Sequence, residues 1–205
     1  DRIPPKVLYL VQIYDTAFEE RELGLTAGKK TNDPDYSART TWGVFEHADI
    51  HGIVRPCMIL LEAWRERASF PDLRQLAHQS YKKWQPDKVI IEKKASGHSL
   101  LQELRRKGVP VLAVVIGKGA SKTVRAHAAS VVFEQGCVFV MCDPDTKTLP
   151  RADLKPVIDE VTDFPFGDFD DWTDTVVHGC IWLRRTMWVQ LPGESEQEQE
   201  PDEDA

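Results

Sequence analysis

Several features are scarce or missing in this sequence, and each absence excludes a class of protein. No apolar run approaches the ~20 residues of a membrane-spanning helix, so we expect no membrane partner. No basic segment followed by an apolar segment marks a secretory signal. Cys57, Cys137, Cys142 and Cys180 form no C-x-x-C pair, which argues against a zinc site and a disulfide framework. A reducing cytosol is the expected compartment.

The net charge of −7 is concentrated at one end of the chain. Residues 194–205 hold seven acidic residues and no basic residue, so the rest of the chain is neutral. We therefore predict one folded domain over residues 1–190 and an acidic, disordered tail over residues 191–205. A neutral domain neither favours nor excludes a nucleic-acid partner, and local basic clusters must decide that question.

The hydrophobic pattern predicts elements in the order β-β-β-α-β-α-β-α-β-α-α. The first three strands follow one another closely, which favours an antiparallel meander, and the later strands alternate with helices. The predicted fold class is therefore α/β, with a mixed sheet of three antiparallel strands followed by βαβαβ and flanked by helices. The predicted strands span 7–15, 37–46, 56–64, 87–92, 109–116 and 137–142, and the helices 70–84, 99–107, 121–135, 154–161 and 168–188.

Acidic residues stand at the boundaries of these predicted elements. Asp15 ends the first strand, Glu92 ends the fourth, and Asp170, Asp171 and Asp174 lie at the start of the last helix. If the two strands are neighbours, their carboxylates emerge at one edge of the sheet, while residues three apart share a helix face. Clustered carboxylates repel one another, and a hard divalent cation relieves that repulsion. Two such ions ~4 Å apart support phosphodiester hydrolysis.

Each acid also has an ordinary structural interpretation. Asp15 alone is typical of a turn residue at a strand end, and Glu92 alone is equally consistent with a salt bridge to Lys93 or Lys94. The acids of the last helix are typical of a helix N-terminus or of a solvated helix face. Spacing alone leaves the metal site open.

Five stretches of the sequence, taken together and in order, resemble a known family. They are YDTAF at 14–18, DYSA at 35–38, IIEKKASG at 90–97, KTVRA at 122–126 and FPFGDFDDWTDT at 164–175. Over residues 7–183 the chain looks like the nuclease domain of the large terminase subunit of tailed bacteriophages. The resemblance implies an RNase H-like fold and a metal-dependent endonuclease that cuts concatemeric double-stranded viral DNA during genome packaging.

The resemblance also implies which residues hold the metal. Two divalent cations, Mg²⁺ or Mn²⁺, would be bound by Asp15, Glu92 and Asp171, with Asp174 as a fourth acid and Asp170 as an alternative. The family's last motif often begins with His where this chain has Phe169, and often has Ala where this chain has Thr175. The Phe169 departure keeps the choice among the three helix acids open.

Two basic sets close to these acids are candidates for binding DNA phosphates. Lys93 and Lys94 follow Glu92 directly, and Lys122 and Arg125 lie three residues apart at the start of a predicted helix. Both sets are also typical of solvated helix faces. No element is suited to reading base edges, so we expect cutting with little sequence specificity.

The family implies further partners and a location, namely the ATPase domain of the same full-length protein, the portal and the small terminase subunit, in the cytoplasm of a host cell. Residues 117–123 do not match a phosphate-binding loop, because Ser121 stands where the pattern requires Gly. We therefore expect no ATPase motif here and interpret the chain, which starts without Met, as part of a larger protein. A Holliday-junction resolvase-like nuclease and a non-catalytic docking or regulatory module of the packaging motor remain alternatives.

Overall fold

A computed structural model of the chain describes residues 6–16, 36–92, 95–115 and 120–192. Lys93, Lys94 and residues 193–205 of the predicted acidic tail lie outside the described residues. The strands are β1 (Tyr9–Asp15), β2 (Ser37–Ala48), β3 (Val54–Glu66), β4 (Lys88–Glu92), β5 (Val111–Val114) and β6 (Val138–Val140). The helices are α1 (Phe70–Trp84), α2 (Ala95–Arg106), α3 (Lys122–Glu134), α4 (Lys155–Asp163) and α5 (Asp171–Arg185).

The strands form one mixed sheet in the order β5-β4-β1-β2-β3-β6. The pairs β1–β2 and β2–β3 are antiparallel, whereas β1–β4, β4–β5 and β3–β6 are parallel. This confirms the predicted element order and the predicted meander of three antiparallel strands in an RNase H-like arrangement. The pairing of β6 with β3 adds a strand at the far edge of the meander.

Alternation along the strands divides the core between the two faces of the sheet. In β1, Val11 and Ile13 belong to a buried cluster with residues of α3, α4 and α5, whereas Tyr14 packs with residues of α1 and α2. In β4, Ile90 joins the first cluster and Ile91 the second. One face therefore carries α3, α4 and α5, and the other carries α1 and α2.

Helix α5 lies directly against the middle of the sheet, where it contacts β1 and β2. Gly179 makes the close approach possible, since a Cβ there would lie 3.2 Å from Trp42 Nε1 and 3.6 Å from Ile13 Cγ1. Trp42 is fully buried and donates from Nε1 to Thr40 Oγ1. The close packing of the small Gly179 against the large Trp42 thus fixes the path of α5 over the sheet.

Among the helices of the described residues, none combines the length and the hydropathy of a membrane span.

Candidate active site

The candidate site begins with a row of residues that crosses the sheet. Asp15 of β1 pairs with Ala38 of β2, and Ala38 pairs with Arg65 of β3. The parallel register of β1 and β4 runs up to the residues just before Asp15 and Glu92, so these two acids end neighbouring strands side by side. The sequence prediction that both acids reach one sheet edge agrees with this register.

The row faces the helix α5. Side chains alternate along a strand, so Asp15 projects to the same face as Ile13, and Glu92 to the same face as Ile90. Ile13 and Ile90 both belong to the cluster that packs against α5. Ala38 is fully buried between Asp15 and Arg65 in this row.

The first turn of α5 is held over this row by Glu160 of α4. Glu160 Oε1 accepts a hydrogen bond from the backbone N of Thr173 at 2.9 Å. This contact satisfies an N–H that an α-helix leaves unpaired in its first turn. Asp170 occupies the N-cap position of α5, but its side chain makes no capping hydrogen bond. A carboxylate from another helix therefore performs the capping role.

Arg65, near the end of β3, contacts the first turn of α5. Its Nη1 donates to Glu160 and lies 3.6 Å from Asp171 Oδ2. The guanidinium also packs against aromatic rings, with Cζ 4.2 Å from the ring centroid of Trp172 and 4.5 Å from that of Phe169. Cation–π contacts of this kind hold a guanidinium in one orientation. Phe169 thus helps to fix Arg65.

Burial raises the pKa of Asp171 to about 6. The positive charge of Arg65 opposes that rise, and the negative charges of Glu160, Asp15 and Asp170 reinforce it. Asp15 and Asp171 are therefore close enough for their charges to interact, although one belongs to the first strand and the other to the last helix.

Asp174 lies one turn further along α5 and is almost fully buried. Burial raises its pKa, contacts with Lys122 lower it, and the charges of Asp15 and Asp170 raise it again. The negative charge of Asp15 thus raises the pKa of both Asp171 and Asp174. The structure brings these three predicted acids together and places Glu92 beside Asp15.

Lys122 and Arg125, predicted as DNA contacts, lie on the first turn of α3 and point toward α5. Lys122 Nζ is 2.7 Å from Asp170 Oδ2 and 2.8 Å from Asp174 Oδ2. Burial alone would lower the pKa of Lys122, but the bonds to these two carboxylates raise it above its ordinary value. Arg125 Nη2 lies 3.7 Å from Asp174 Oδ1, and its Nη1 donates to Ala120 O.

The acids fit a divalent metal by their chemistry. They offer only carboxylate oxygens, the ligands that Mg²⁺ and Mn²⁺ prefer. In the conformation seen here, however, the described residues include no group of three or more His, Cys, Asp or Glu side chains arranged to hold an ion. Instead, Arg65 faces Asp171, while Lys122 bonds to Asp170 and Asp174. A bound cation would have to share or replace these partners.

Arg65 and Glu160 were not found by reasoning from the sequence. Strand alternation places Arg65 on the same face as Ala63, which packs toward the helices of that face. That signal marks a charged residue facing inward, but only the strand register shows that it shares a row with Asp15. Glu160 has no comparable signal, because its position on α4 suits an ordinary helix acid.

The sheet order, with acids ending β1 and β4 and others starting α5, defines an RNase H-like architecture. No protein-family model matches the chain, and no curated protein matches it. Among solved structures, the chain is similar to the large terminase nuclease from thermophilic phage G20c. The form with bound magnesium is 15% identical with a TM-score of 0.51, covering 75% of this chain and 77% of that chain.

The form of the G20c nuclease with bound cobalt gives a similar result. It is 14% identical with a TM-score of 0.51, covering 74% of this chain and 77% of that chain. At this level of identity the likeness shows a shared fold. The resemblance drawn from the five sequence stretches is thus matched by a shared fold over about three quarters of the chain.

Proposed function

We propose that this chain is a divalent-metal-dependent endonuclease that hydrolyses double-stranded DNA. One observation carries the proposal. Asp15 and Glu92 end adjacent strands on the face covered by α5, and the charge of Asp15 acts on Asp171 and Asp174 in the first turn of that helix. Repelling acids gathered in a partly buried place are stabilised by a divalent cation.

The metal ligands in this proposal are Asp15, Glu92, Asp171 and Asp174. Asp170 is the less suitable alternative, because its side chain is 42% exposed, whereas those of Asp171 and Asp174 are 22% and 8% exposed. Two bound Mg²⁺ or Mn²⁺ ions would supply a nucleophilic hydroxide at neutral pH and neutralise charge at the leaving oxygen. Structures of the G20c nuclease with bound magnesium and with bound cobalt are in keeping with a divalent cofactor.

The other side chains of the site prepare it for this chemistry. Glu160 fixes the first turn of α5, and Arg65 orients Asp171 through their ion pair. Arg125 holds Asp174 from the side of α3. Lys93, Lys94, Lys122 and Arg125 are proposed to bind phosphates on either side of the cut, so recognition depends on the DNA backbone and little on sequence.

The shared fold supports a more specific biological role. We propose that the chain cuts concatemeric viral DNA during genome packaging in the cytoplasm of a host cell. Its partners would then be the ATPase domain of the same full-length protein, the portal and the small terminase subunit.

A plasmid-cleavage assay tests the activity. The chain should nick and linearise plasmid DNA in Mg²⁺ or Mn²⁺, and EDTA should stop the reaction. Asp15→Asn should reduce the rate by more than the ~10–100-fold typical of losing a residue that only supports a ligand. Glu46→Gln is a matched control, because it neutralises an exposed acid at the other end of β2.

Two outcomes would redirect the proposal. Faster cutting of a four-way junction than of a linear duplex would favour the resolvase-like alternative. Absence of both cleavage and Asp15-dependent Mn²⁺ binding would instead favour a docking or regulatory module. Equal activity of Asp15→Asn and the parent protein would show that the metal ligands are wrongly assigned.

A further inference from the structure

The side chain of Lys122 contacts two acids of the site at once. We propose that Lys122 is the resident cation of the metal-free site, that it gives up Asp174 when a divalent cation binds, and that its ammonium group then pairs with a DNA phosphate. This inference rests on the proposed function and adds a coupling between metal binding and DNA binding.

Both oxygens of Asp174 face cationic side chains in this structure. Lys122 Nζ lies 2.8 Å from Oδ2, and Arg125 Nη2 lies 3.7 Å from Oδ1. The Asp174 side chain is only 8% exposed, so no free oxygen is turned toward solvent to receive a metal. A cation that takes Asp174 as a ligand must therefore share its oxygens with these two partners or displace one of them.

Lys122 is the partner that is free to move. Its side chain is 45% exposed, whereas that of Arg125 is 17% exposed. Arg125 is further tied to its own helix start by the 2.8 Å hydrogen bond from Nη1 to Ala120 O. A lysine side chain carries a compact charge on a flexible four-carbon stem, so it can swing to a new partner while its backbone stays in place.

A phosphate of the DNA substrate is the expected new partner of the displaced ammonium group. Lys122 is the first residue of α3, at the protein surface beside Asp170 and Asp174. Once a metal neutralises these acids, their attraction for Lys122 falls, and a phosphate close to the metal becomes the stronger partner. Metal and DNA should then each increase the affinity of the protein for the other, because coupling between two binding events is reciprocal.

Isothermal titration with Mn²⁺ alone tests the first half of the exchange. Lys122→Ala should bind Mn²⁺ roughly tenfold more tightly than the parent, because a competing charged hydrogen bond is removed. Lys122→Arg keeps the positive charge and should stay close to the parent. Lys155→Ala is the matched control, since it removes a lysine that is paired with Asp159 outside the site and should leave the affinity unchanged.

The salt dependence of duplex binding tests the second half. Each Lys–phosphate contact contributes ~0.9 to the slope of log K against log salt. Lys122→Ala should reduce this slope by about one contact in Ca²⁺, with a gel confirming that the duplex stays intact. In EDTA, where Lys122 remains bound to the acids, the same substitution should leave the slope unchanged.

These measurements separate failure of this inference from failure of the proposed function. Mn²⁺ affinity in Lys122→Ala that is equal to or weaker than that of the parent would overturn the exchange. An equal loss of slope in Ca²⁺ and in EDTA would also overturn it, since Lys122 would then contact phosphate regardless of metal. Parent protein that binds no Mn²⁺, or binds it unchanged after Asp15→Asn, would instead refute the metal site itself.

Discussion

At the scale of single residues, the acids at the start of α5 are charged groups in surroundings that disfavour their charge. Burial is the largest cause of the raised pKa of both Asp171 and Asp174. Arg65 and Lys122 offset only part of this effect, since both pKa values remain above their ordinary range. The metal-free fold therefore loses stability when these acids ionise, as expected of residues placed for function.

Asp171→Asn should show this loss directly. The folded-state pKa of about 6 lies above the ordinary value of 3.8, so the folded protein binds this proton more tightly than the unfolded chain. Stability is then lost as pH rises from about 4 through 6. In EDTA at pH 7.5 the substitution should raise the free energy of unfolding by about 1–2 kcal/mol, and the gain should vanish below about pH 4.

Urea denaturation across this pH range measures the effect. Asp153→Asn provides a contrast, because the hydrogen bond from Arg151 lowers the pKa of Asp153. That substitution should lower stability at pH 7.5, whereas Asp171→Asn should raise it. An Asp171→Asn protein less stable than its parent at pH 7.5 would contradict the assigned cause.

At the scale of elements, the distance of α5 from the sheet determines whether the acids meet. Gly179 sets this distance through its contact with the buried Trp42. Gly179→Ala gains up to ~1 kcal/mol of helix propensity, but the added methyl group meets a side chain that cannot move away. We expect net destabilisation of about 1–2 kcal/mol and a drop in Mn²⁺ affinity, because Asp171 and Asp174 shift with the helix.

Thermal denaturation and Mn²⁺ titration of the same protein measure both effects. Gly167→Ala is the control, since its added Cβ would have 3.4 Å as its nearest contact, an ordinary separation. If Gly179→Ala proved more stable than the parent with unchanged Mn²⁺ affinity, close packing of α5 would not be what positions the acids.

The sequence predicted the elements better than the contacts between them. Short apolar runs predict strands such as β1 and β4, and the same runs place the acids at the strand ends. The bond from Thr173 N to Glu160 is not visible in this way, because it joins two helices whose relative placement no local pattern encodes. The start of α5 at residue 171, three residues after the predicted start, depends on the same contact.

Arg65 shows that contacts within the sheet are likewise not predictable from local sequence patterns. Its place in a row with Ala38 and Asp15 depends on the register of three strands, including an irregularity between Thr41 and Trp42 in the pairing of β2 with β3. Beyond that irregularity, a register counted along a regular strand would assign Ala38 a different partner. Long-range pairing, and not residue preference, decides which charge faces Asp171.

At the scale of the whole molecule, the charge is divided between a neutral domain and the acidic residues 194–205. Deleting these residues should strengthen duplex binding several-fold at 50 mM salt, because seven negative charges no longer repel the DNA. The difference should shrink toward zero at about 0.5 M salt, where the screening length is only a few ångströms.

Fluorescence anisotropy with a labelled duplex at several salt concentrations measures this effect. A chain of full length in which the seven acids are replaced by Gln or Asn controls for the length of the segment. It should behave like the deletion, and the melting temperature of both should equal that of the parent. Weaker DNA binding after deletion would mean that the segment assists binding.

The proposed site combines acids from β1 and α5, which has a consequence during synthesis of the protein on the ribosome. Asp15 leaves the exit tunnel before Asp171 and Asp174, which leave it only with helix α5. No nascent chain that stops short of α5 can assemble the proposed set of acids, so the proposed site can form only after α5 has been synthesised. A premature stop codon before α5 should for the same reason yield a product without the proposed site.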